Sequence, residues 1–329
     1  MKILYSGYKD PGHSKFGGYD KIAQYDKSAN SKNLVVEDYW LGDHFGSHIM
    51  RIPFTLLDLH TRWLRWKYDI THLYYGEITM LGCLPYLKSK KHKTVITLHL
   101  DIEKRRLPKL FVWILRHFDG IIVLSSQQQA YLRDKYNLNS SFIPHGFIKP
   151  LYDEKMPIDV NGTKFEKEFI NIVVIGQNYR DFVTLKKIID YSRKYSNIVY
   201  HLVGIPRSEK DKLYGQENVR IYPRLNNDEF YTILSNCDYN FLPLTFATAN
   251  NTLLEAQFLD VTSILPRIAG IEDYAAPEPY NLYYDSFESL KRIVDKLKKN
   301  NPDGCLSDFA EQFSWENIYD KLTTFYTSL

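Results

Sequence analysis

Cysteine is scarce in this sequence. The 329 residues contain only Cys83, Cys237 and Cys305, and no two of them form a C-x-x-C pair. An odd, widely spaced set argues against a disulfide framework and against a structural zinc site. It is typical of a protein that works in a reducing cytoplasm.

Long apolar runs are also missing. No stretch approaches the ~20 apolar residues that a helix needs to span a bilayer. The start of the chain, 1–7, resembles a strand that leads into a polar loop and shows no signal-peptide pattern. There is no G-x-G-x-x-G fingerprint and no named nucleic-acid-binding motif. These absences weigh against a membrane-spanning protein, a dinucleotide site and a nucleic-acid partner.

The composition is that of a globular protein, with 44% hydrophobic and 25% charged residues. A chain of 329 residues suits two domains of about 150 residues each. The charge is uneven, because residues 1–150 hold 22 Lys and Arg against 13 Asp and Glu, whereas residues 151–329 hold 20 against 26. The basic first half is expected to meet something anionic.

Short apolar runs alternate with helical segments in both halves of the chain. The predicted strands are 2–7, 34–40, 71–76, 94–100 and 120–125 in the first half, and 169–176, 199–204, 219–223 and 239–244 in the second. Alternation of this kind predicts βαβ units and parallel sheets with helices on both faces. We therefore expect an α/β protein with two Rossmann-like halves in tandem, and a cleft between them suits a nucleotide-linked ligand.

Ligands of such sheets lie at the carboxyl ends of the strands. The candidates at predicted strand ends are Gly17 and Gly18, His99 with Asp101, and Ser125. Most glycine pairs simply make turns, and a lone histidine is more often structural than functional. For His99 the two interpretations have equal weight, because its position and the strand pattern agree.

The segment 246–274, FATANNTLLEAQFLDVTSILPRIAGIEDY, joins a polar cluster to an apolar helix and then a strand. Asn250, Asn251 and Thr252 stand where the helix should start, and Glu255 is a carboxylate inside an apolar run. A helix N-terminus offers unpaired N–H groups and a partial positive charge, which suit a phosphate. Helix caps are far commoner than phosphate sites, so the segment alone favours a structural role.

Two stretches combine basic and aromatic residues: HTRWLRWKY at 60–68 and EKRRLPKLFVWILRHF at 103–118. They are consistent with a surface that lies on an anionic membrane. They are equally consistent with a buried core flanked by solvated charges. The run KSKKHK at 88–93 is interpreted as a loop.

Several segments resemble one known family. They are IGQNYRDF after a strand, NDEFYTILSNCD before YNFLPL, the ANNTLLEAQFLDVTSILPRIAGIEDY stretch, the closing FSWENIYDKL, and more loosely IPHGF, TLHLD and the Gly17–Gly18 loop. Together they resemble retaining GT-B glycosyltransferases, in particular the family-four group that builds bacterial surface glycans. The resemblance is strong in the second half and loose before Thr94.

The resemblance implies the GT-B plan of two Rossmann-like domains that face each other across a cleft. Its implied parts are an acceptor domain at 1–150, a linker at 151–168, a nucleotide-sugar-binding domain at 169–308, and a crossover helix at 309–329 that packs on the first domain.

The resemblance also implies site residues. Glu255 corresponds to the second glutamate of the family's E-x7-E motif, which binds the donor ribose, and Arg180 to a cation that neutralises the departing diphosphate. His99 corresponds to a histidine close to the sugar and phosphate. The implied catalytic residues are His99, Arg180 and Glu255. The implied nucleotide-sugar-binding residues are Gly17, Gly18, Gly176, Arg180, Asn250, Asn251, Thr252, Leu253 and Glu255.

The first glutamate of E-x7-E would fall at Ala247, so the usual contact to the donor sugar is missing. Asn250 is expected to supply amide contacts in its place. The implied reaction is sugar transfer with retention from a UDP- or GDP-linked donor, with no further cofactor. The chain has no D-x-D triplet, which supports metal-independent chemistry.

The implied acceptor is a glycan or lipid-linked molecule, reached in the cytoplasm or at an anionic membrane surface. Three alternatives rank below the transferase. They are a nucleotide-sugar epimerase of the same plan, a non-catalytic glycosyltransferase-like subunit, which Ala247 favours, and a nucleic-acid-binding module.

Overall fold

The computed structural model of the chain describes residues 1–9, 16–36, 51–79, 85–103, 108–149, 165, 168–223, 225–299 and 304–329. They form two compact units. The first comprises Met1–Ile148 and Phe313–Leu329, and the second comprises Lys149–Gln312. The linker predicted at 151–168 lies outside the described residues, except for residues 165 and 168.

The first unit contains a parallel sheet whose strand order is β2-β1-β3-β4-β5-β6. Its elements are β1 (Ile3–Gly7), β2 (Lys32–Val35), α1 (Arg51–Leu64), β3 (Ile70–Leu73), α2 (Gly76–Thr79), β4 (Lys93–Leu98), α3 (Pro108–Leu115), β5 (Gly120–Val123), α4 (Ser126–Tyr136) and β6 (Ser141–Phe142). Short 3₁₀ helices cover Tyr19–Gln24 and Arg65–Lys67.

The second unit contains a parallel sheet with the order β12-β11-β10-β7-β8-β9. Its elements are β7 (Ile170–Ile175), α5 (Phe182–Ser192), β8 (Ile198–Val203), α6 (Arg207–Leu213), β9 (Val219–Ile221), α7 (Asn227–Asn236), β10 (Tyr239–Phe241), α8 (Asn251–Phe258), β11 (Thr262–Pro266), α9 (Ala269–Glu272), β12 (Leu282–Tyr284), α10 (Phe287–Val294) and α11 (Cys305–Ala310). A 3₁₀ turn covers Glu311–Phe313.

The central strands are buried on both faces, which explains why they appear in the sequence as continuous apolar runs. Every residue of β3, β5, β7 and β8 is buried. Parallel strands covered by helices on two sides need this composition. The predicted α/β class with parallel sheets is therefore confirmed.

Local polar residues start the helices of the second unit. The carboxylate of Asp181 caps α5, accepting from the N–H groups of Val183 and Thr184. Asn226 and Glu229 form a reciprocal capping box at the start of α7. Such caps satisfy the N–H groups that the first helical turn cannot pair internally.

Three local features differ from what the sequence indicates. The segment 19–29 has a helical pattern, but it forms only a 3₁₀ helix that ends at Gln24, and strands β6 and β12 were not predicted. The two missed strands have two and three residues, too few to show a period. The predicted strand 34–40 begins earlier, as β2, and its residues 37–40 lie outside the described residues.

The last helix, α12 (Trp315–Thr327), belongs to the first unit. Its backbone joins the segment that follows β6, because the Phe147 N–H donates to Phe313 O at 2.8 Å and the Trp315 N–H donates to Phe147 O at 3.1 Å. A Cβ on Gly146 would lie 2.3 Å from Cδ2 of Trp315. The fully buried indole therefore requires glycine at 146.

Strand order marks one position in each sheet where the chain reverses its direction of progress. In the second unit this switch point lies between β7 and β10, and in the first it lies between β1 and β3. Loops that follow the strands on either side of a switch point diverge and leave a crevice at the carboxyl edge. The predicted site residues are therefore best traced from these loops.

Candidate functional site: two groups of residues at the switch points

The loop after β7 folds around the side chain of Arg180. Its guanidinium donates from Nε and Nη2 to the carbonyl oxygen of Ile175 at 2.9 and 2.6 Å, and from Nη1 to that of Asn178 at 3.2 Å. Gly176 has a φ of +84°, and a Cβ there would lie 3.4 Å from Nη2 of Arg180. Glycine thus permits both the left-handed backbone and the close approach of the cation.

Burial lowers the pKa of the Arg180 guanidinium to about 10. This value leaves the side chain cationic at neutral pH. Among the described residues, its hydrogen-bond acceptors are carbonyl oxygens. The charge is therefore balanced here by main-chain dipoles, and an anion would interact with it more strongly.

The Arg180 loop is tied to the segment that leads from β10 to α8. The N–H of Asp181 donates to Pro243 O at 2.6 Å, and the N–H of Thr245 donates to Tyr179 O at 2.9 Å. The rings of Tyr179 and Phe246 meet edge to face with centroids 5.2 Å apart. The loops that flank the switch point are thus held side by side.

Helix α8 begins with a side-chain cap. Oδ1 of Asn250 accepts from the N–H of Leu253 at 3.0 Å, so the cap occupies the main-chain donor of Leu253, one of the implied nucleotide-sugar-binding residues. The N–H groups of Asn251 and Thr252 have no acceptor within the helix, because they belong to its first turn. The N–H groups of these two residues are therefore the pair that the helix offers to a ligand.

Glu255 is buried in α8, with only 3% of its surface exposed. Its Oε1 accepts a hydrogen bond from the hydroxyl of Tyr231, on α7, at 2.9 Å. A buried carboxylate needs donors of this kind. Sequence reasoning missed Tyr231, because helical spacing shows that it faces inward but not which residue it meets 24 positions later.

Ala247, at the position of the missing glutamate, packs against a short helix. It is 6% exposed, and a Cβ on Gly270 at the start of α9 would lie only 1.8 Å from its carbonyl oxygen. Glycine at 270 therefore sets the position of the backbone just before α8.

The first unit holds a second group, around His99. The carboxylate oxygen Oε1 of Glu77 accepts from the main-chain N–H of His99 and from that of Leu100, the latter at 2.8 Å. Nδ1 of His99 lies 3.8 Å from the same oxygen, and its ring stacks on Tyr75 with centroids 3.8 Å apart. Glu77, on α2, thus fixes the turn that follows β4, and sequence reasoning missed it as well.

The Gly17–Gly18 pair is connected to the His99 group by Tyr19, the residue that follows it. Gly17 and Gly18 are buried, and Gly18, with a φ of +102°, precedes the 3₁₀ helix that starts at Tyr19. The Tyr19 ring lies edge-on to His99, with centroids 5.0 Å apart, and to His145 at 5.3 Å. The structure therefore brings the predicted glycine loop and His99 together.

Two other strand-end candidates have local structural contacts. Ser125 caps α4 by accepting from the N–H of Gln128, and Asp101 accepts from the N–H of Glu103. Within the described ranges, no cluster of three or more metal-ligating side chains occurs. No helix in that part of the chain is long and apolar enough to cross a membrane.

The two basic-aromatic stretches behave differently. In α3, Phe111, Ile114 and Leu115 are core residues, whereas Leu110 and Trp113 are 37% and 47% exposed. The core interpretation therefore holds for most of the apolar residues of 103–118, whose residues 104–107 lie outside the described ranges. The stretch 60–68 covers the end of α1 and the following 3₁₀ turn, and its two tryptophans are exposed.

Comparison with known proteins agrees with this geometry. Residues 24–147 match the model of Glycosyltransferase Family 4, in the half where the sequence resemblance was weaker. A search of curated proteins gives no match. Two solved structures align with this chain over 100% of both chains. They are Anabaena HepE in complex with UDP-glucose, with a TM-score of 0.67 and 12% identity, and the lipopolysaccharide outer core galactosyltransferase WaaB, with a TM-score of 0.67 and 14% identity. Sucrose-phosphate synthase from Thermosynechococcus elongatus matches with a TM-score of 0.66 and 15% identity over 99% of this chain and 88% of that one.

The fold of the chain is therefore GT-B. The match of residues 24–147 to the family-four model and the GT-B fold confirm the resemblance seen in the sequence.

Proposed function

We propose that the protein is a glycosyltransferase that moves a sugar from a UDP- or GDP-linked donor to a glycan or lipid-linked acceptor in the cytoplasm. The anomeric configuration is retained, and neither a metal ion nor a further cofactor takes part. One observation carries the proposal: the Arg180 loop is hydrogen-bonded to the segment that starts α8, at the switch point of the second sheet. A cation and a helix N-terminus in this place suit a nucleotide diphosphate.

In the proposed complex the N–H groups of Asn251 and Thr252 hold the diphosphate, and the carboxylate of Glu255 accepts hydrogen bonds from the ribose hydroxyls. UDP is the first nucleotide to test, because HepE, which shares this fold, was solved with UDP-glucose. His99, in the first unit, is assigned to contacts with the sugar and phosphate.

The chemical step needs no enzymatic nucleophile. The acceptor hydroxyl attacks on the face that the diphosphate leaves, and a diphosphate oxygen takes the acceptor proton. Negative charge grows on the leaving group in the transition state, where Arg180 and the α8 N-terminus stabilise it. Ala247 leaves the recognition of the sugar to neighbouring groups, among them the amide of Asn250.

The test removes a single donor from the helix start. Proline is tolerated at the first helical position and lacks an N–H, and the extended backbone of Asn250, with a φ of −135°, suits a residue that precedes proline. Asn251→Pro should therefore weaken UDP binding at least tenfold, as expected for a hydrogen bond to a charged group worth about 1.5–3 kcal/mol. Isothermal titration measures the dissociation constant.

Two control variants are compared with Asn251→Pro. Asn251→Ala keeps the N–H and should bind UDP like the unchanged protein, and Asn227→Pro places the same substitution at the first position of α7. Equal loss in all three variants, or no UDP or GDP binding by the unchanged protein, would overturn the donor site.

Product analysis separates the remaining alternatives. A transferase releases nucleotide and forms a glycoside whose anomeric signal in NMR matches the donor, at the same rate in EDTA. An epimerase converts the donor with no acceptor present. A non-catalytic subunit releases nothing from any of the UDP- and GDP-sugars. Inversion or EDTA sensitivity would contradict the proposed mechanism.

A further inference from the structure

Helix α1 and the 3₁₀ turn after it carry large apolar side chains on their solvent side. Their exposed fractions are 41% for Leu56, 57% for Leu59, 66% for Trp63 and 46% for Trp66. Steps of three and four residues place them on one helical face. Contiguous exposed apolar residues of this size mark an interaction surface more often than scattered single ones do.

The opposite face of α1 is buried and partly polar. Asp58 accepts from the hydroxyl of Tyr86 at 2.6 Å, and the Thr61 hydroxyl pairs with that of Ser6 at 2.7 Å. Arg65, 2% exposed, donates to two main-chain carbonyls. These buried contacts fix the rotation of α1 and of the turn after it, so the leucines and tryptophans lie on the solvent side.

A lysine-rich segment lies beside this face. Arg65 donates to the carbonyl of Leu87 at 2.6 Å, and the Trp66 ring meets that of His92 with centroids 5.5 Å apart. Leu87 is 69% exposed, and Lys67 lies 5.0 Å over the Trp63 ring. We define the α1 patch as Leu59, Trp63, Trp66 and Leu87 together with the exposed Lys67, Lys88, Lys90 and Lys91.

The patch is cationic as well as apolar. Between residues 59 and 93 the sequence has seven Lys and Arg residues and only two acidic residues, Asp69 and Glu77. Of these two, Glu77 is buried and accepts from the main-chain N–H of Leu100. Within the described part of the chain, none of the four patch lysines forms an ion pair with a carboxylate. An anionic lipid surface suits such a patch, because its headgroup region accepts tryptophan and leucine and its phosphates attract the lysines.

We infer that the α1 patch docks the protein on an anionic bilayer, with Trp63 and Trp66 at the headgroup level and the lysines on the lipid phosphates. The inference rests on the proposed function only in that docking would bring the enzyme to a lipid-linked acceptor. A second copy of the chain is a poorer occupant, because a twofold contact would place the lysines of both copies against each other. Nucleic acid would leave the leucines without an apolar partner.

The experiment is flotation of the purified full chain with vesicles of phosphatidylcholine alone or with 30% phosphatidylglycerol, at about 50 and 500 mM salt. Binding should require the anionic lipid and fall at least tenfold at high salt. The double variant Trp63→Gln/Trp66→Gln should lose at least tenfold in binding, and Lys88→Gln/Lys90→Gln/Lys91→Gln should lose both affinity and most of the salt dependence.

Matched controls use the same residue types elsewhere. Trp113→Gln removes a tryptophan on α3 with 47% exposure, and Lys186→Gln/Lys187→Gln/Lys296→Gln removes three exposed lysines of the second unit. Both should float like the unchanged protein. UDP titration of every variant tests the two proposals separately, since the patch variants should bind UDP normally. Vesicle binding without UDP binding would contradict only the donor site.

Three results would overturn the docking surface. The first is no flotation with anionic vesicles, and the second is an equal loss of vesicle binding in the patch and control variants. The third is a protein that does not bind vesicles but associates with itself, or binds a single-stranded RNA, through contacts that the patch variants lose. Sedimentation velocity and a fluorescent oligouridine provide the last two measurements.

Discussion

The hydroxyl of Tyr231 donates a hydrogen bond to Oε1 of Glu255 over 2.9 Å, and both side chains are buried. The bond joins α7 to α8 and orients the carboxylate that we assign to the ribose. Tyr231→Phe removes the donor while keeping the ring. The loss of one such bond is worth about 1 kcal/mol, so the dissociation constant for UDP should rise about fivefold.

Tyr222→Phe is the matched control, because Tyr222 is similarly buried and its hydroxyl pairs with His201 at 2.8 Å and not with Glu255. Both variants should lose thermal stability, but only Tyr231→Phe should weaken UDP binding in isothermal titration. Comparable UDP affinities in the two variants would show that Tyr231 supports the fold and does not position Glu255.

Arg180 is expected to act mainly in the transition state. Arg180→Ala should lower kcat by a hundredfold or more while KM changes little, because loss of a preorganised charge-stabilising donor typically costs this much. The kcat of Arg180→Lys should lie between that of Arg180→Ala and that of the unchanged enzyme. Lysine keeps the charge but lacks the two guanidinium N–H groups that hold the carbonyl of Ile175.

Arg220→Ala provides the comparison, because the Arg220 side chain also donates to main-chain carbonyls, those of Glu217 and Val219. Its kcat should stay close to that of the unchanged enzyme. A rise in KM at constant kcat for Arg180→Ala would assign Arg180 to ground-state binding.

Sequence reasoning located features that depend on neighbouring residues. The cap at Asn250, the strand that ends before Gly176 and the apolar runs of the sheets are local patterns, and the structure contains all three. The contacts that hold the site residues are not local. Glu77 meets the backbone at His99 across 22 positions, and Tyr231 meets Glu255 across 24. No periodicity in one segment encodes such pairs.

The basic-aromatic stretches show the same limit. Composition alone could not separate α3, whose Phe111 and Leu115 are core, from α1, whose Trp63 and Trp66 are exposed. The rotation of α1 depends on buried partners such as Tyr86 for Asp58, which belong to other segments. Tertiary contacts therefore decided which stretch forms a surface.

Two buried histidines should make the protein sensitive to mild acid. His72 pairs with Tyr326 and Thr97, and burial lowers its pKa to about 3. Burial, with a smaller effect of Arg220, lowers the pKa of His201 to about 3 as well. Below pH 6.5 the unfolded chain takes up protons at these residues and the folded chain does not. Each should therefore reduce the free energy of unfolding by roughly 1 kcal/mol for every pH unit from 6.5 towards 3.

Urea unfolding at pH 7.0, 6.0 and 5.5 measures this slope above the range in which most carboxylates titrate. His72→Gln removes one titrating group, so its free energy of unfolding should vary less with pH although it is lower at pH 7.0. A slope that is unchanged in this variant would show that the acid sensitivity arises elsewhere.

Gly270 is expected to be indispensable for the donor site. A Cβ at this position would lie 1.8 Å from the carbonyl oxygen of Ala247, a main-chain atom that cannot move without displacing the start of α8. Gly270→Ala should therefore weaken UDP binding at least tenfold and lower the melting temperature. In Gly304→Ala the new Cβ meets no atom within 4 Å, and its cost is the strain of a φ of +83°, about 1–2 kcal/mol. Gly304→Ala should thus lose stability but bind UDP normally. Equal UDP affinity in both variants would show that the backbone at Ala247 can shift without disturbing the helix start, and would remove Gly270 from the support of the site.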